Sequence, residues 1–488
     1  MLRRLLVPLL AAMVFAAACS SGSDDDDVST DTTRASESSG PTCPLDALEK
    51  ADGTVDVVLW FGGLGAETLA TMKDSATRFN ASQDKIRIIP RNQGKSYEEV
   101  YQKYQSAAST SPGDLPGIVY LENTTLRSMI DGGTVLPAGA CMKADGYDPD
   151  QIDPAIRSYY TVDDVMWPGY VNVNTQVLYY NKAAFARAAL DPNDPPTTLD
   201  ELEATAEKLK AAGVDKPLAL KLSHSFFEMW VSGGGGTVVN NSNGRDGSPT
   251  EATFAGEQGK ATMDWLVKMN KAGLLFPVSS TAGQIDQFTA VLTGKSAMTI
   301  ETSGAATTIA AFLSGDLSAK DATLAGVDVD PAQLKSAKTI IPASAAFPGL
   351  NGPGNIFPGG GAFFIVNKKD PAVQAAAWKY LEFMLKPENG SKWLLEGSYL
   401  PVAKATAQLP EVEKFFAEDV AGVLLNPSYQ QFKQVDPFAP GPLIGPYSEV
   451  GKIIQKSMEG VLLGNDDPDA ALTKAEADAT ASLKRYAG

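Results

Sequence analysis

NTQVLYYNKAAFARAALDPNDPPTTLDELEATAEKLKAAG, residues 174–213, reads from left to right as strand, turn and capped helix. Gln176 to Asn181 is short, rich in β-branched and aromatic side chains, and suits a buried strand. The Pro-Pro pair at 195–196 breaks the chain before Thr198-Leu199-Asp200-Glu201. That tetrad is a capping box, in which Thr198 and Glu201 satisfy each other's free backbone donors. Leu199, Leu202, Ala206 and Leu209 then recur at helical spacing. Gly213 suits the left-handed position just past the helix end. A strand feeding a helix is half of an α/β unit.

The same scheme extends outward in both directions. Toward the N-terminus, Val55 to Phe61 and Lys85 to Ile89 read as strands, and Leu69, Met72, Ala76 and Phe79 mark a helix between them. Ser96 to Glu99 is a second capping box, predicting a helix through Val100 and Tyr104, and Gly117 to Leu121 is the next strand. Toward the C-terminus, helices are predicted over 257–272, from Pro371 with Asp370 as N-cap, over 447–463 and over 469–486. Phe363 to Val366 reads as a strand, and the Pro- and Gly-rich stretch 342–361 as a loop. Strand–helix alternation predicts an α/β fold with largely parallel sheets covered by helices. So long a body exceeds one ordinary core, so two lobes are expected.

The first residues predict export. Arg3 and Arg4 precede an uncharged, apolar stretch, Leu5 to Ala18, and the small residues Ala16 to Ala18 precede Cys19. This is the order of a secretory signal over 1–18, and the stretch is shorter than the roughly 20 residues a membrane span needs. Cys19 in that place resembles the lipidated cysteine of a bacterial lipoprotein; simple cleavage after Ala18 is the alternative. Residues 19–42, rich in Ser, Thr and Asp, read as a disordered tether. Of three cysteines, lipidation of Cys19 leaves Cys43 and Cys141. In an oxidising compartment they are expected to form a disulfide, the alternative being two buried thiols.

Composition narrows the chemistry. A net charge of −17 repels nucleic acid and anionic lipid. The single histidine, His224, leaves no zinc site built on two or three histidines. No G-x-S-x-G elbow and no G-x-x-x-x-G-K-[ST] phosphate loop is present. Gly233 to Gly236 reads as a flexible loop or a close backbone approach. No metal or cofactor is expected. Paired carboxylates for glycoside cleavage are not singled out among 58 acids.

Aromatic and small polar residues at the ends of predicted elements point to a solute site instead. The motifs KSYEEV at 95–100, YLENTT at 120–125, AMTIETSGAAT at 297–307, GGGAFFIV at 359–366 and WKYLEFMLKPENGSKWLLEGSYLPV at 378–402 occur in that order with the stretch 174–213. In this order the chain resembles the extracellular solute-binding proteins of bacterial ABC importers, family 1, and within them the glycerol-3-phosphate binders, over about 55–486. The resemblance implies a type II periplasmic-binding-protein-like fold, two α/β lobes joined by a hinge with a ligand cleft between them. It implies lobe 1 at 52–174 plus 360–404 and lobe 2 at 175–359 plus 405–488. Position by position, it carries the ligand site to Tyr97, Glu122, Asn174, Ser303, Gly361 and Tyr399. His224, Phe226 and Trp230, in LSHSFFEMW, are secondary candidates. The glycerol-phosphate binders hold phosphate with an arginine where this chain has Leu443, in APGPLIGP. Loss of that cation favours a neutral sugar or polyol, with a glycerophosphodiester second. The implied role is non-enzymatic: a monomer, lipid-anchored outside the cell membrane, captures a small molecule and hands it to a permease. A secreted glycoside-active enzyme and a solute sensor are the competing classes.

Overall fold

The computed structural model describes residues 41–280, 286–314, 340–436 and 441–488. Cys19, the expected signal segment and nearly all of the expected tether lie outside them. Among the described residues, thirteen strands run in chain order. The first seven are β1 (Val55–Gly62), β2 (Ile86–Gly94), β3 (Ile118–Glu122), β4 (Val135–Leu136), β5 (Thr161–Val162), β6 (Val165–Met166) and β7 (Tyr170–Asn174). The others are β8 (Gln176–Asn181), β9 (Leu218–Lys221), β10 (Leu275–Val278), β11 (Met298–Thr302), β12 (Pro342–Ala346) and β13 (Gly359–Val366).

They form two main sheets. One has the order β2-β1-β3-β13-β4, with β7 also beside β13; the other has the order β10-β9-β11-β8-β12. β5 and β6 make a separate ribbon. The expected parallel pairing holds for β1 with β2 and β3, and for β9 with β10 and β11. It fails at β13 and β8, which pair antiparallel with all their neighbours. These are strands by which the chain enters one sheet from the other, so no helical crossover fixes their direction. Segment 342–361 is likewise not all loop. β12 lies along β8 at the sheet edge, with Pro342 at its first position, where a missing N–H is tolerated.

The two sheets are joined closely. Only Thr175 separates β7 from β8. Its N–H donates to Ser303 Oγ at 3.1 Å, its carbonyl accepts from Ser303 N at 2.7 Å, and its hydroxyl meets Ser428 Oγ at 2.6 Å. The chain returns between β12 and β13. It crosses again beyond Leu400, which bridges Val173, before helix Val420–Phe432 packs on β12.

The helices follow local chemistry. Helix Leu199–Ala211 carries the complete capping box of Thr198 and Glu201, and Gly213 has φ +95°. The box at Ser96 is shifted: Glu99 N donates to Ser96 Oγ at 3.2 Å, but the Glu99 carboxylate accepts from Lys95 N. Gly233 is a close approach, since a Cβ there would lie 2.8 Å from Asn355 N. Cys43 and Cys141 form the expected disulfide, with Cα atoms 4.7 Å apart. It fixes helix Leu45–Lys50, which packs on helix Pro371–Leu385 over the first sheet.

Candidate functional site

The site is assembled at the carboxyl ends of β1, β3 and β9, where open α/β sheets leave a crevice. β1 ends at Gly62, close under Val100, and Gly63 turns with φ +70°. This brings Ser96 to the N-cap of helix Tyr97–Thr110 and makes Tyr97 its first residue. Tyr97 and Tyr120 share a hydrogen bond between hydroxyls at 3.0 Å. Asn172 Nδ2 donates to the same Tyr120 oxygen at 3.2 Å. Gly361 faces Glu122 on β3 and Asn172 on β7. A Cβ at Gly361 would sit 2.0 Å from the Tyr120 ring, so only glycine leaves room for that ring in the sheet.

Tyr399 enters from a third direction. Helix Pro387–Gly397 ends on Ser398 in the left-handed region, φ +55°, which swings Tyr399 off the helix axis. Its ring meets Trp393 edge-on at 6.2 Å, and its hydroxyl lies close enough to Thr68, Tyr120 and Tyr97 for those groups to influence its titration. Ser398 Oγ accepts from Thr307 N at 2.9 Å, tying this corner to the second sheet's side. Burial raises the Tyr97, Tyr120 and Tyr399 phenols above their usual range, so all three are neutral hydroxyls that both donate and accept.

Glu122 ends β3 with its side chain open to solvent yet enclosed by protein on most sides, which describes the floor of a recess. Burial raises its carboxyl above the ordinary 4.5, against opposing effects of His224 and a Thr124 hydroxyl donating at 3.2 Å. His224 is the first residue of helix His224–Gly233. Its Nδ1 lies 2.9 Å from Glu228 Oε1, one turn along, and Tyr447 donates to Glu228 Oε2 at 2.5 Å. Burial pulls the His224 imidazole down, but the Glu228 carboxylate and then Glu122 outweigh it, and the net shift is upward. Asn123 donates to the Tyr159 hydroxyl at 2.8 Å. Arg245 lies over the Tyr159 ring at 5.1 Å.

The loop before Arg245 is unusual. Asn241, Ser242 and Asn243 have φ of 54°, 52° and 57°, and Gly244 has φ 78°, giving one left-handed turn. For residues with a Cβ this costs about 1–2 kcal/mol each. Asn243 Oδ1 holds the turn by accepting from Val238 N at 2.7 Å, while Asn243 O accepts from Leu443 N at 2.8 Å.

Among the sequence-predicted residues, Tyr97, Glu122, Gly361 and Tyr399 converge on one recess, and His224 faces Glu122 across it. Asn174 is half-buried at the sheet crossing beside Gly304 and Gly359. Ser303 is fully buried, with its amide and hydroxyl spent on Thr175. Phe226 and Trp230 are buried and their rings meet at 6.4 Å. Trp230 is buried, donates to Pro348 O at 2.9 Å and stacks on Phe347 at 5.5 Å. Sequence reasoning missed Tyr120, Tyr159, Glu228 and Tyr447, and it named Arg245, with Arg187 and the lysines, only as a cation that could stand in for the absent arginine, without placing it. Only Glu228 carries a local signal, its i,i+4 spacing from His224 on a helix.

A separate cavity of about 1520 Å³ is lined by Tyr147, Arg157, Asp163, Ser232, Arg245 and Leu443, among others. Tyr97, Glu122, Tyr399 and His224 do not line it; Arg245 does, with its guanidinium over the Tyr159 ring. Among the described residues, no group of three or more His, Cys, Asp or Glu could hold a metal ion, and no helix is long and apolar enough to cross a membrane.

The recess predicts a pH dependence. A raised histidine stabilises the fold below its ordinary 6.5, and that gain is lost as pH rises through the shifted value. A raised carboxyl also costs stability as it ionises above its ordinary 4.5. The ligand-free protein should therefore lose stability through these two groups as pH rises above 4.5 and further as it rises above 6.5. Urea midpoints across that range should fall less steeply for His224→Gln; an unchanged slope refutes the assignment.

Comparison with known proteins gives a consistent picture. The profile described as "Bacterial extracellular solute-binding protein" matches residues 74–421. The sn-glycerol-3-phosphate-binding periplasmic protein UgpB of Escherichia coli (strain K12) is 27% identical over 464 residues, covering 91% of this chain and 95% of that protein. Two solved structures share the fold. The cyclic alpha-maltosyl-1,6-maltose binding protein from Arthrobacter globiformis aligns with TM-score 0.69 and 21% identity, over 89% of this chain and 100% of that one. UgpB from Mycobacterium tuberculosis in complex with glycerophosphocholine aligns with TM-score 0.68 and 17% identity, over 90% and 100%.

Proposed function

We infer function from family: the chain belongs to the bacterial extracellular solute-binding proteins. It captures a solute for an ABC importer, on a type II periplasmic-binding-protein-like fold. The observation that carries the site is the convergence of Tyr97, Tyr120 and Tyr399 with Glu122 and His224 in one recess. Neutral phenols and a carboxylate offer donors and acceptors for hydroxyl groups, and aromatic faces for a sugar ring.

The solute read from these groups is a carbohydrate or polyol, bound without turnover and passed to a membrane permease. The division into lobes at 52–174 plus 360–404 and 175–359 plus 405–488 is supported by the membership of the two sheets. Lipidation at Cys19 of a monomer on the cell membrane rests on the sequence pattern of the first residues. A second reading, glycerol-3-phosphate or a glycerophosphodiester, is favoured by the printed ligand of the 27%-identical relative.

Calorimetry of the purified chain against maltose, glycerol, glycerol-3-phosphate and glycerophosphocholine tests both. Tyr399→Ala should weaken binding of the preferred solute at least about tenfold, equivalent to roughly 1.4 kcal/mol, while the chain still folds. Unchanged affinity places the recess elsewhere, and release of any product from a bound solute overturns the non-enzymatic reading.

A further inference from the structure

His224 is the chain's single histidine, and its two ring nitrogens are treated differently. Nδ1 lies 2.9 Å from Glu228 Oε1, one turn along helix His224–Gly233. Nε2 has no hydrogen-bond partner among the described residues, and the side chain keeps 28% of its surface open. Glu228 is wholly buried. Tyr447 donates to its Oε2 at 2.5 Å, and Oε1 is left to accept from His224. Its neighbours on the helix, Phe227, Met229, Trp230 and Val231, are buried and apolar. A buried carboxylate is costly unless bonded, and an apolar side chain at 228 would fill the same place without that cost. What the carboxylate adds is control of the imidazole.

The ring is held from a second side by helix Tyr447–Gly464. A Cβ at Gly451 would lie 2.9 Å from His224 Cδ2 and 3.0 Å from Nε2, so glycine gives the imidazole its place against that helix. The Tyr447 ring lies 5.9 Å from the imidazole. The same helix touches the turn Asn123–Thr125, which directly follows Glu122 on β3. The imidazole is thus fixed beside the end of β3, and the titratable groups around it are Glu228, Tyr447 and Glu122. With Oε1 accepting, the proton between the two side chains belongs to Nδ1. A neutral imidazole has only one proton, so Nε2 then carries a lone pair.

We propose that Glu228 is a positioning residue for capture: it accepts the Nδ1 proton of His224, with Tyr447 steadying it, and so reserves Nε2 for a hydroxyl of the solute. Glu228 itself does not touch the solute. The proposal deepens the capture reading and rests on it. It also sets a requirement on the solute. Nε2 accepts when the ring is neutral and donates when it is charged, and a hydroxyl suits either state because it does both.

Because the chain has one histidine, its ring-nitrogen NMR resonances are read without ambiguity. In the unaltered chain, titrated until the ring is neutral, Nδ1 should carry the proton and Nε2 should not. Calorimetry with maltose, glycerol, glycerol-3-phosphate and glycerophosphocholine selects a binding probe, and saturation with it should shift Nε2 more than Nδ1. Glu228→Met removes the acceptor, so the neutral ring should move its proton to Nε2 and affinity should fall at least about tenfold. Glu228→Gln keeps a side-chain carbonyl, and should keep the tautomer and most of the affinity. On a His224→Gln background, Glu228→Met should cost no further affinity, since its effect runs through the ring. Equal losses on both backgrounds overturn the proposal and assign Glu228 to the architecture. A proton on Nε2 of the neutral unaltered ring, or an Nε2 resonance that saturation leaves unmoved, overturns it even if no variant folds. Heat from none of the four probes sinks the capture reading and this inference with it, whereas heat with an unmoved Nε2 sinks this inference alone.

Discussion

Trp230→Ala is expected to lower the unfolding free energy by about 3–5 kcal/mol and to leave the affinity of the folded protein for its solute close to that of the unaltered chain. The indole is almost wholly removed from solvent, stacked on Phe347, edge-on to Trp265 at 5.7 Å and bonded to the Pro348 carbonyl. Truncation leaves a cavity that these rings cannot collapse into and an unpaired carbonyl. Urea denaturation and calorimetry on the same preparation separate the two effects. A preserved midpoint with weakened affinity would return Trp230 to the list of ligand contacts.

Removing the disulfide should act on a similar scale through the unfolded chain. Cys43 and Cys141 close a loop with a sequence separation of 98, for which chain entropy allows up to about 4.7 kcal/mol. The double change Cys43→Ser, Cys141→Ser should lower the denaturation midpoint and free helix Leu45–Lys50 from the first sheet's side. It avoids leaving one thiol in the fully buried Cys141 position. Reductant should shift the unaltered protein toward the same midpoint and leave the variant unmoved. Coincident curves with and without reductant, in the unaltered protein, would contradict this.

Much of the fold was legible because its signals are local. Thr198 and Glu201 cap their helix as written, and Asp370 with Pro371 opens the helix they predict. Strand direction was not legible: β8 and β13 are apolar runs like β1, and only the crossing at Thr175 and the return after β12 make them antiparallel. β12, PASAA, hides in a Pro- and Gly-rich stretch because its pairing partner, β8, supplies what its own propensity does not. The recess divides in the same way. Tyr97, Glu122, Gly361 and Tyr399 sit at element ends, where the sequence marks a boundary. Tyr159, Arg245 and Tyr447 are far apart in the chain and meet only through the packing of both sheets. His224 and Trp230 share one helix, and nothing local said which of its faces met the core.

Thr175 sits at a fulcrum. With one residue between β7 and β8, and with Ser303 and Ser428 clamping that residue, any rotation of one sheet against the other has a nearly fixed axis at its base. Displacement then grows with distance from Thr175, as along a lever arm. Asn174, beside the fulcrum, would travel little in such a rotation, and residues remote from it would travel further. A label placed far from Thr175 on each side would thus act as a gauge of capture.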